Sequence, residues 1–189
     1  GAFFSAAVCT DNTVRTWGWN AYGELGNNTF TDSPVPVQVL GLTGVIRIAS
    51  GGGHTLALKS DGTVWAWGGN SDGVLGNNTT TDSPVPVQVT GLTNIVSVAC
   101  GESSSFAVKG DGTVWSWGYN GDGILGDSSN TNRLTPVQVY NLTGIIQVDA
   151  GSFHALALKI DGTVWAWGYN YGGQAGNADT NGVEHWVPV

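Results

Sequence analysis

Apolar and polar residues alternate along most of this chain with a period of two, which is the pattern of β-strands. In residues 51–68, GGGHTLALKSDGTVWAWG, two alternating runs at 54–59 and 64–67 flank the dipeptide Asp61-Gly62. Asp-Gly between two such runs predicts a β-hairpin, because both turn residues must accept a positive φ. The same signal recurs at Asp11-Asn12, Asp111-Gly112 and Asp161-Gly162.

Two further strands are predicted ahead of each hairpin. Apolar runs over residues 45–49, 95–99 and 145–149 indicate the nearer strand, and Pro-bounded runs at 35–39, 85–89 and 137–139 indicate the earlier one. A Pro cannot donate a backbone hydrogen bond, so the Pro-bounded strand should begin at an edge or a bulge. No segment has helical periodicity of useful length. The predicted fold class is therefore all-β, with about four short strands per unit.

This unit recurs every 50 residues. Residues 27–46 match residues 77–96 at 15 of 20 positions, and several framework residues keep the same spacing throughout. They are Trp17, Trp67, Trp117 and Trp167, then Asn20, Asn70, Asn120 and Asn170, then Gly23, Gly73, Gly123 and Gly173, then Gly26, Gly76, Gly126 and Gly176. Such self-similarity indicates a repeat architecture. We predict one repeat domain over residues 1–189, with units of approximately 1–34, 35–84, 85–134 and 135–189.

A four-stranded sheet that is apolar on both faces must be covered on both faces. Radial stacking of such sheets achieves this in a β-propeller, whereas a flat stack or a β-helix would use shorter repeats. The sequence thus predicts a propeller of four-stranded blades. The Trp found at the same place in every blade is expected to pack between blades, and His54 and His154, at equivalent positions, are expected to be structural.

The repeat follows the pattern V-x-x-V-A-x-G-x-x-H-x-x-A-L-K-x-D-G-T-V-W-x-W-G-x-N-x-x-G-x-L-G. It occurs over Ile95–Gly126 and Ile145–Gly176, with Phe4 and Ser104 in the His position and Ala175 in the Leu position. This pattern resembles the repeat of the regulator of chromosome condensation superfamily, and the resemblance covers essentially the whole chain. It implies a propeller whose parent has seven blades, which at this repeat length needs about 350 residues.

The chain has 189 residues, about half of that length. It begins inside a hairpin at Gly1–Gly18 and stops after a Pro-bounded strand at Trp186–Val189. Joining this tail to the head would give a blade without the strand of the 45–49 type. We therefore expect a partial ring: a fragment of a longer propeller, or a protomer that meets its missing strands on another chain.

Composition and charge narrow the function classes. The net charge is −8 and the six cations are scattered along the chain, so clustered phosphate contacts and nucleic-acid binding are not expected. No apolar run approaches the roughly 20 residues of a membrane-spanning helix, so no membrane insertion is expected. Cys9 and Cys100 occupy non-equivalent repeat positions, which favours two unpaired, half-buried thiols, although their oxidation state stays open.

No pattern of catalytic or ligating residues stands out. The segment Asn70-Ser71-Asp72-Gly73 resembles a calcium loop, but Gly68 occupies the first ligand position and no Glu follows at the twelfth, which favours an Asx turn. No serine-hydrolase elbow, zinc spacing or nucleotide loop is present. The sequence predicts a non-enzyme with no catalytic residue, no metal site and no cofactor.

The loops after each Trp-Gly pair differ between copies, while their framework stays constant. Equivalent loops fall on one face of a propeller, so their variable residues should form one mosaic of aromatic and carboxylate groups. Such a composition is typical of protein-binding surfaces, with unselected loop drift as the alternative. The candidate binding residues are Trp19, Tyr22, Phe30, Asp72, Tyr119, Asp122, Tyr169 and Tyr171, and the loop position of Phe30 corresponds to Thr80, Asn130 and Thr180.

The predicted function is a non-enzymatic protein-binding scaffold of bacterial origin, secreted or displayed on the cell surface. Its partner is a protein of unknown identity, other copies of itself, or the rest of a longer propeller. The resemblance offers a guanine-nucleotide exchange factor as an alternative, and a structural array in a larger surface protein or filament is another. Asn-x-Ser/Thr sequons permit glycosylation in an exported protein, at Asn27, Asn77, Asn78 and Asn141.

Overall fold

The computed structural model describes residues 1–178 and 184–189, so the loop position predicted at Thr180 lies outside the described residues. The strands are β1 (Phe4–Val8), β2 (Val14–Gly18), β3 (Ser33–Gln38), β4 (Val45–Ser50), β5 (His54–Lys59), β6 (Val64–Gly68), β7 (Ser83–Gln88), β8 (Ile95–Cys100), β9 (Ser104–Lys109), β10 (Val114–Gly118), β11 (Arg133–Gln138), β12 (Ile145–Ala150), β13 (His154–Lys159) and β14 (Val164–Gly168). The described part of the chain has no helix that could cross a lipid bilayer.

The strands form four antiparallel sheets, with the orders β1-β2-β3, β4-β5-β6-β7, β8-β9-β10-β11 and β12-β13-β14. We call them blades 1 to 4. All four predicted hairpins are present; in blade 2, for example, the β5–β6 pairing runs from His54 opposite Gly68 to Leu58 opposite Val64. The edge strands β4, β8 and β12 are neighbours in space, so the blades fan out from a common axis. The all-β prediction is confirmed.

Each Pro-bounded strand is the outer edge of the blade whose hairpin precedes it. In blade 2, β7 pairs with β6, and the register shifts between Ala66 and Gly68, as expected for a strand that begins at a bulge. Blade 2 therefore covers residues 45–88, and the predicted units 35–84, 85–134 and 135–189 each contain strands of two neighbouring blades.

The C-terminal segment pairs within blade 4. Gly168 is bridged to His185, and Ala166 and Val189 exchange two backbone hydrogen bonds of 3.1 and 2.9 Å. This repeats the pairing of β6 with β7, so the segment stands in place of a fourth strand beside β14. The tail therefore belongs to the last blade, and blade 1 consists of β1, β2 and β3.

Three apolar cores lie between consecutive blades. In each core the second Trp of a Trp-x-Trp pair is fully buried, and its indole N–H donates to a carbonyl oxygen of the preceding blade. The pairs are Trp67 to Glu24 at 2.9 Å, Trp117 to Val74 at 2.7 Å and Trp167 to Ile124 at 2.6 Å. The prediction that these Trp residues pack between blades is confirmed.

The remaining structural predictions concern His54 and the thiols. His54 is buried and its Nε2 lies 3.0 Å from the Ser105 hydroxyl of the next blade, which confirms a structural role. Cys9 and Cys100 are free and partly buried, as predicted.

Candidate functional site

The open ends of all hairpins lie on one side of the blades, opposite their tight turns. Backbone hydrogen bonds join the two loops at each open end; Trp19 N–H donates to the Phe3 carbonyl at 3.1 Å and Tyr169 N–H to the Phe153 carbonyl at 2.8 Å. We call this side the loop face. It consists of residues 1–3, 19–32, 51–53, 69–82, 101–103, 119–132, 151–153, 169–178 and 184.

A buried Asn holds each long loop in shape. In blade 2, Asn70 Nδ2 donates to the carbonyl oxygens of Thr79 and Thr81, each at 3.0 Å, and Oδ1 accepts from the buried N–H of Leu75 at 2.9 Å. The Asn70 N–H donates to Asp82 at 2.7 Å. Asn20 and Asn120 make corresponding bonds, so the loops share one frame on which the variable residues are displayed.

This frame yields a stability prediction. Asn70→Ala should lower the free energy of unfolding by about 2 kcal/mol, since a buried N–H left without an acceptor costs 1 to 3 kcal/mol. The measurement is urea denaturation followed by Trp fluorescence. Asn27→Ala is the matched control: its Oδ1 accepts from Thr29 in a solvent-accessible turn, and its loss should cost no more than about 0.5 kcal/mol. Equal losses in both variants would contradict the assigned role of Asn70.

The predicted aromatic residues of blade 1 form one exposed cluster. The ring of Trp19 lies 6.5 Å from the ring of Tyr22 and 5.1 Å from the ring of Phe3. All three rings are exposed. Large aromatic groups held at a surface by backbone pairing lose little conformational entropy on binding, which suits them as anchors for another protein.

A second aromatic group spans blades 3 and 4. Tyr119 meets Phe153 edge to face at 6.2 Å, and Tyr169 lies 5.0 Å from Tyr171. Burial raises the pKa of the Tyr119 hydroxyl, and the nearby carboxylate of Asp122 raises it further. The phenol is therefore held in its neutral, hydrogen-bonding form beside a negative charge.

Asp72 lines a cleft of about 300 Å³ on the loop face. Tyr22 of blade 1, Asp82 of blade 2 and Glu102 of blade 3 also line the cleft. Asp72 also accepts a hydrogen bond from Asn132 Nδ2 of blade 3 at 3.1 Å. The structure thus brings together Tyr22 and Asp72, two predicted residues that come from different blades.

Phe30 stands apart from these groups. Its side chain is exposed, but among residues 1–178 and 184–189 no close aromatic pair includes it. Its loop diverges between the repeats, and this divergence predicted Phe30 as part of the mosaic. The structure places it in the outer loop that the Asn20 frame holds, on the side of β3.

Two exposed aromatic residues, Phe3 and Phe153, were not among the predicted site residues. Each stands directly before the first hairpin strand of its blade, at the position that Gly53 and Ser103 occupy in blades 2 and 3. The hairpin register could have predicted both residues. It places Phe3 beside Trp19 and Phe153 beside Tyr169 at the open end of the hairpins.

The open side of the blades carries more acidic charge than the tight-turn side. On the tight-turn side, Lys59, Lys109 and Lys159 end their strands over the rings of the half-buried Trp residues. Four turn carboxylates lie at the same end and balance these lysines, those of Asp11, Asp61, Asp111 and Asp161. The described loops of the open side and the residues just before the outer strands carry eight carboxylates, those of Glu24, Asp32, Asp72, Asp82, Glu102, Asp122, Asp127 and Glu184.

Neighbouring groups change the charge or the pKa of two of these carboxylates. Arg133 pairs with Asp127 at 2.7 Å, which neutralises one carboxylate of the loop face. Burial raises the pKa of the Glu24 carboxyl, and the charges of Asp82 and Asp32 contribute to that rise. The described residues contain no cluster of His, Cys, Asp and Glu arranged to hold a metal ion.

Comparison with known proteins supports the fold over the full length. A family model described as the RCC1-like domain matches residues 1–189. Human WBSCR16 superposes with a TM-score of 0.87 at 26% identity, over 100% of this chain and 50% of that one. Yeast RCC1 (Prp20), solved bound to Kap60, superposes with a TM-score of 0.86 at 25% identity, over 100% and 46%. The predicted propeller fold is confirmed.

Curated relatives match over a shorter stretch. Sixty residues are 38% identical to human E3 ubiquitin-protein ligase HERC2, covering 31% of this chain and 1% of that protein. A match of 61 residues is 41% identical to the X-linked retinitis pigmentosa GTPase regulator homolog of Caenorhabditis elegans, covering 31% and 4%. The chain thus spans about half of these solved propellers and a few per cent of the curated relatives.

Proposed function

Because this chain belongs to the RCC1-like domain family, whose model matches residues 1–189, we propose that it is a non-enzymatic protein-binding module. Its loop face binds a protein partner that presents Lys and Arg around an apolar centre. The observation that carries this proposal is the combination of exposed aromatic clusters and eight carboxylates on one face, whereas the opposite side has three lysines balanced by four turn carboxylates. Aromatic anchors supply binding energy, and complementary charge supplies specificity and fast association.

The similarity to Prp20 adds support for a protein partner. The solved Prp20 structures concern its complex with Kap60 and its binding properties to Gsp1p and histones. We extend to this chain only the general mode, a propeller that binds other proteins. A location outside the cell or on its surface is part of the same proposal, supported by the acidic charge and the Asn/Thr-rich loops.

Exchange of a guanine nucleotide on a small GTPase is the second candidate, because the yeast RCC1 structure matches the whole chain. The two candidates differ in what happens after binding. A binding module leaves the nucleotide of a captured GTPase in place, whereas an exchange factor accelerates its release.

The experiment combines capture with loop-face substitutions. The purified chain is used to capture proteins from its native source, and mass spectrometry identifies them. The triple variant Trp19→Ala, Tyr119→Ala, Tyr169→Ala should lose the specific partner, since truncating a hot-spot aromatic costs about 2 kcal/mol or more each. The affinity should also fall steeply between low and physiological salt, because charged surfaces steer the association.

A control variant tests whether the loop face is responsible. The double variant Leu40→Ala, Tyr140→Ala removes two side chains, 54% and 53% exposed, at the tight-turn end of the blades. It should retain the partner. The proposal is wrong if the triple variant binds every partner undiminished, or if the control loses them to the same extent.

A further inference from the structure

The cleft beside Asp72 exists because blade 2 lacks aromatic side chains that other blades carry at their open ends. Gly53 and Gly69 both line this cleft. At these two positions the other blades have Phe3 and Trp19, Ser103 and Tyr119, and Phe153 and Tyr169. Neither Gly53 nor Gly69 has a positive φ, so the backbone does not require glycine at either position. The two glycines therefore leave space on the loop face.

Carboxylates surround this space. Asp72, Asp82 and Glu102 line the cleft. The position of Glu102 is occupied by Ala2, Gly52 and Ser152 in the other blades, so this acid is specific to the cleft. None of the three carboxylates pairs with a Lys, Arg or His within residues 1–178 and 184–189. The cleft therefore has a negative potential that no neighbouring cation of the described chain balances.

Glu24 adds a buried carboxylate beside the cleft. Its side chain is only 3% exposed, and its Oε1 would be 3.9 Å from a Cβ on Gly53. Val74 and Ile124 occupy the same position in blades 2 and 3, so packing does not require an acid there. Oε2 accepts from the Tyr22 N–H at 2.9 Å, whereas Oε1 accepts no hydrogen bond from another residue of the described chain. A cation in the cleft would stabilise the ionised form of this carboxyl.

The other residues of the cleft suit a guanidinium group. Tyr22 supplies an aromatic ring and Val74 an apolar surface. His54 also lines the cleft and is neutral at pH 7, because burial lowers its pKa to about 4. A guanidinium stacks on aromatic rings and donates to two carboxylates at once, which an ammonium does less well. The volume of about 300 Å³ is at the lower end of ligand pockets and fits a single long side chain.

We propose that this cleft receives one arginine side chain of the protein that binds the loop face. The guanidinium stacks on Tyr22 and donates to Asp72 and Glu102, while Glu24 and Asp82 add negative potential. This inference rests on the proposed function for the statement that the ligand is a protein, and it names the residue that the partner presents here. Arg, Tyr and Trp are the residues that most often form interface hot spots.

The test uses the tripeptide acetyl-Gly-Arg-Gly-amide, whose only charge is the guanidinium. It is titrated into the isotope-labelled chain, and NMR records the amide chemical shifts. The amides of Tyr22, Gly53 and Gly69 should shift with a Kd on the order of 1 mM, as expected for one side chain. The same peptide with citrulline, a neutral isostere of arginine, should bind at least about tenfold more weakly, and the lysine peptide about threefold more weakly.

Two variants test the cleft itself. Gly69→Tyr gives blade 2 the residue of blades 3 and 4, fills the cleft and should abolish binding. A Cβ at this position would be 3.4 Å from its nearest neighbour, the Gly53 carbonyl oxygen, so the fold accommodates the substitution. Glu102→Gln should weaken binding about fivefold, because a charge-assisted hydrogen bond is lost. The amide spectra show whether both variants are folded.

Glu184→Gln is the matched control. It removes one negative charge from the loop face outside the cleft and keeps an acceptor for the Trp186 indole N–H. Its Kd for the arginine peptide should equal that of the wild-type chain. Equal weakening in Glu102→Gln and Glu184→Gln would show a general charge effect and overturn the proposal.

Three further results would each overturn the proposal. They are the absence of shifts up to about 20 mM arginine peptide, equal binding of the citrulline or lysine peptide, and undiminished binding to Gly69→Tyr. The titration needs no partner protein, so its failure leaves the capture experiment unaffected. Conversely, a loop face that captures no protein contradicts the proposed function even where the cleft binds the arginine peptide.

Discussion

Trp117→Ala should lower the free energy of unfolding by about 4 kcal/mol, within the range of 3 to 5 kcal/mol found when buried Trp or Phe is truncated. The ring of Trp117 is completely buried between blades 2 and 3, where it packs with Leu75 and Val89. Its indole N–H donates to the Val74 carbonyl at 2.7 Å. The substitution therefore opens a cavity between two blades and removes one of the two hydrogen bonds that the buried Val74 carbonyl accepts. Urea denaturation measures the loss.

Trp115→Ala is the matched control, two residues away on the same face of the same strand. Trp115 is partly exposed, its N–H donates to the neighbouring Thr113 hydroxyl, and Lys109 lies 5.5 Å from its ring centroid. An exposed cation–π contact contributes about 0.5 to 1 kcal/mol, so this variant should lose only about 1 to 2 kcal/mol. If both variants lose the same stability, the interblade role assigned to Trp117 is wrong.

The contrast between these two Trp residues illustrates what the sequence could predict. The period of two shows that both face the same side of the strand, and the 50-residue recurrence indicates a structural role. Which of them is buried depends on the neighbouring blade: the Gly76 loop covers Trp117 near the open end, while Trp115 lies closer to the tight turn, under a lysine. Contacts between blades are not encoded in the local pattern.

The C-terminus illustrates the same limit. Pro placement predicted a strand at 186–189, whereas the structure has a bridge at His185 and two backbone hydrogen bonds at Val189. Its partner strand, however, is separated from it by a long loop, and only the sheet register shows that Ala166, and not the head of the chain, pairs with Val189.

The aromatic groups of the loop face were predictable as a set, because equivalent loops share a face. The Tyr119–Phe153 contact across two blades was not.

His54 connects two blades through a hydrogen-bond chain that also sets its protonation. The Ser105 hydroxyl donates to the Val74 carbonyl at 2.9 Å, so it must accept from His54, whose Nε2 is 3.0 Å away. We infer the tautomer protonated at Nε2 from this network. A second proton would have to enter at Nδ1, inside the protein. Burial lowers the pKa of His54 from 6.5 to about 4, with a small contribution from the N-terminal amine.

Acidification from pH 6.5 to pH 4 should therefore destabilise the fold through His54 by about 3 kcal/mol, at 1.36 kcal/mol per pKa unit. In this window the unfolded chain binds a proton that the folded chain excludes, so the stability is present above pH 6.5 and is lost as the pH falls toward 4. His54→Ser, which copies Ser104 of blade 3, should lack this loss. Urea denaturation of both proteins at several pH values isolates the difference, because the carboxylates titrate in both. If the wild-type protein and His54→Ser lose stability in parallel down to pH 4, burial does not prevent protonation of His54 in the folded protein.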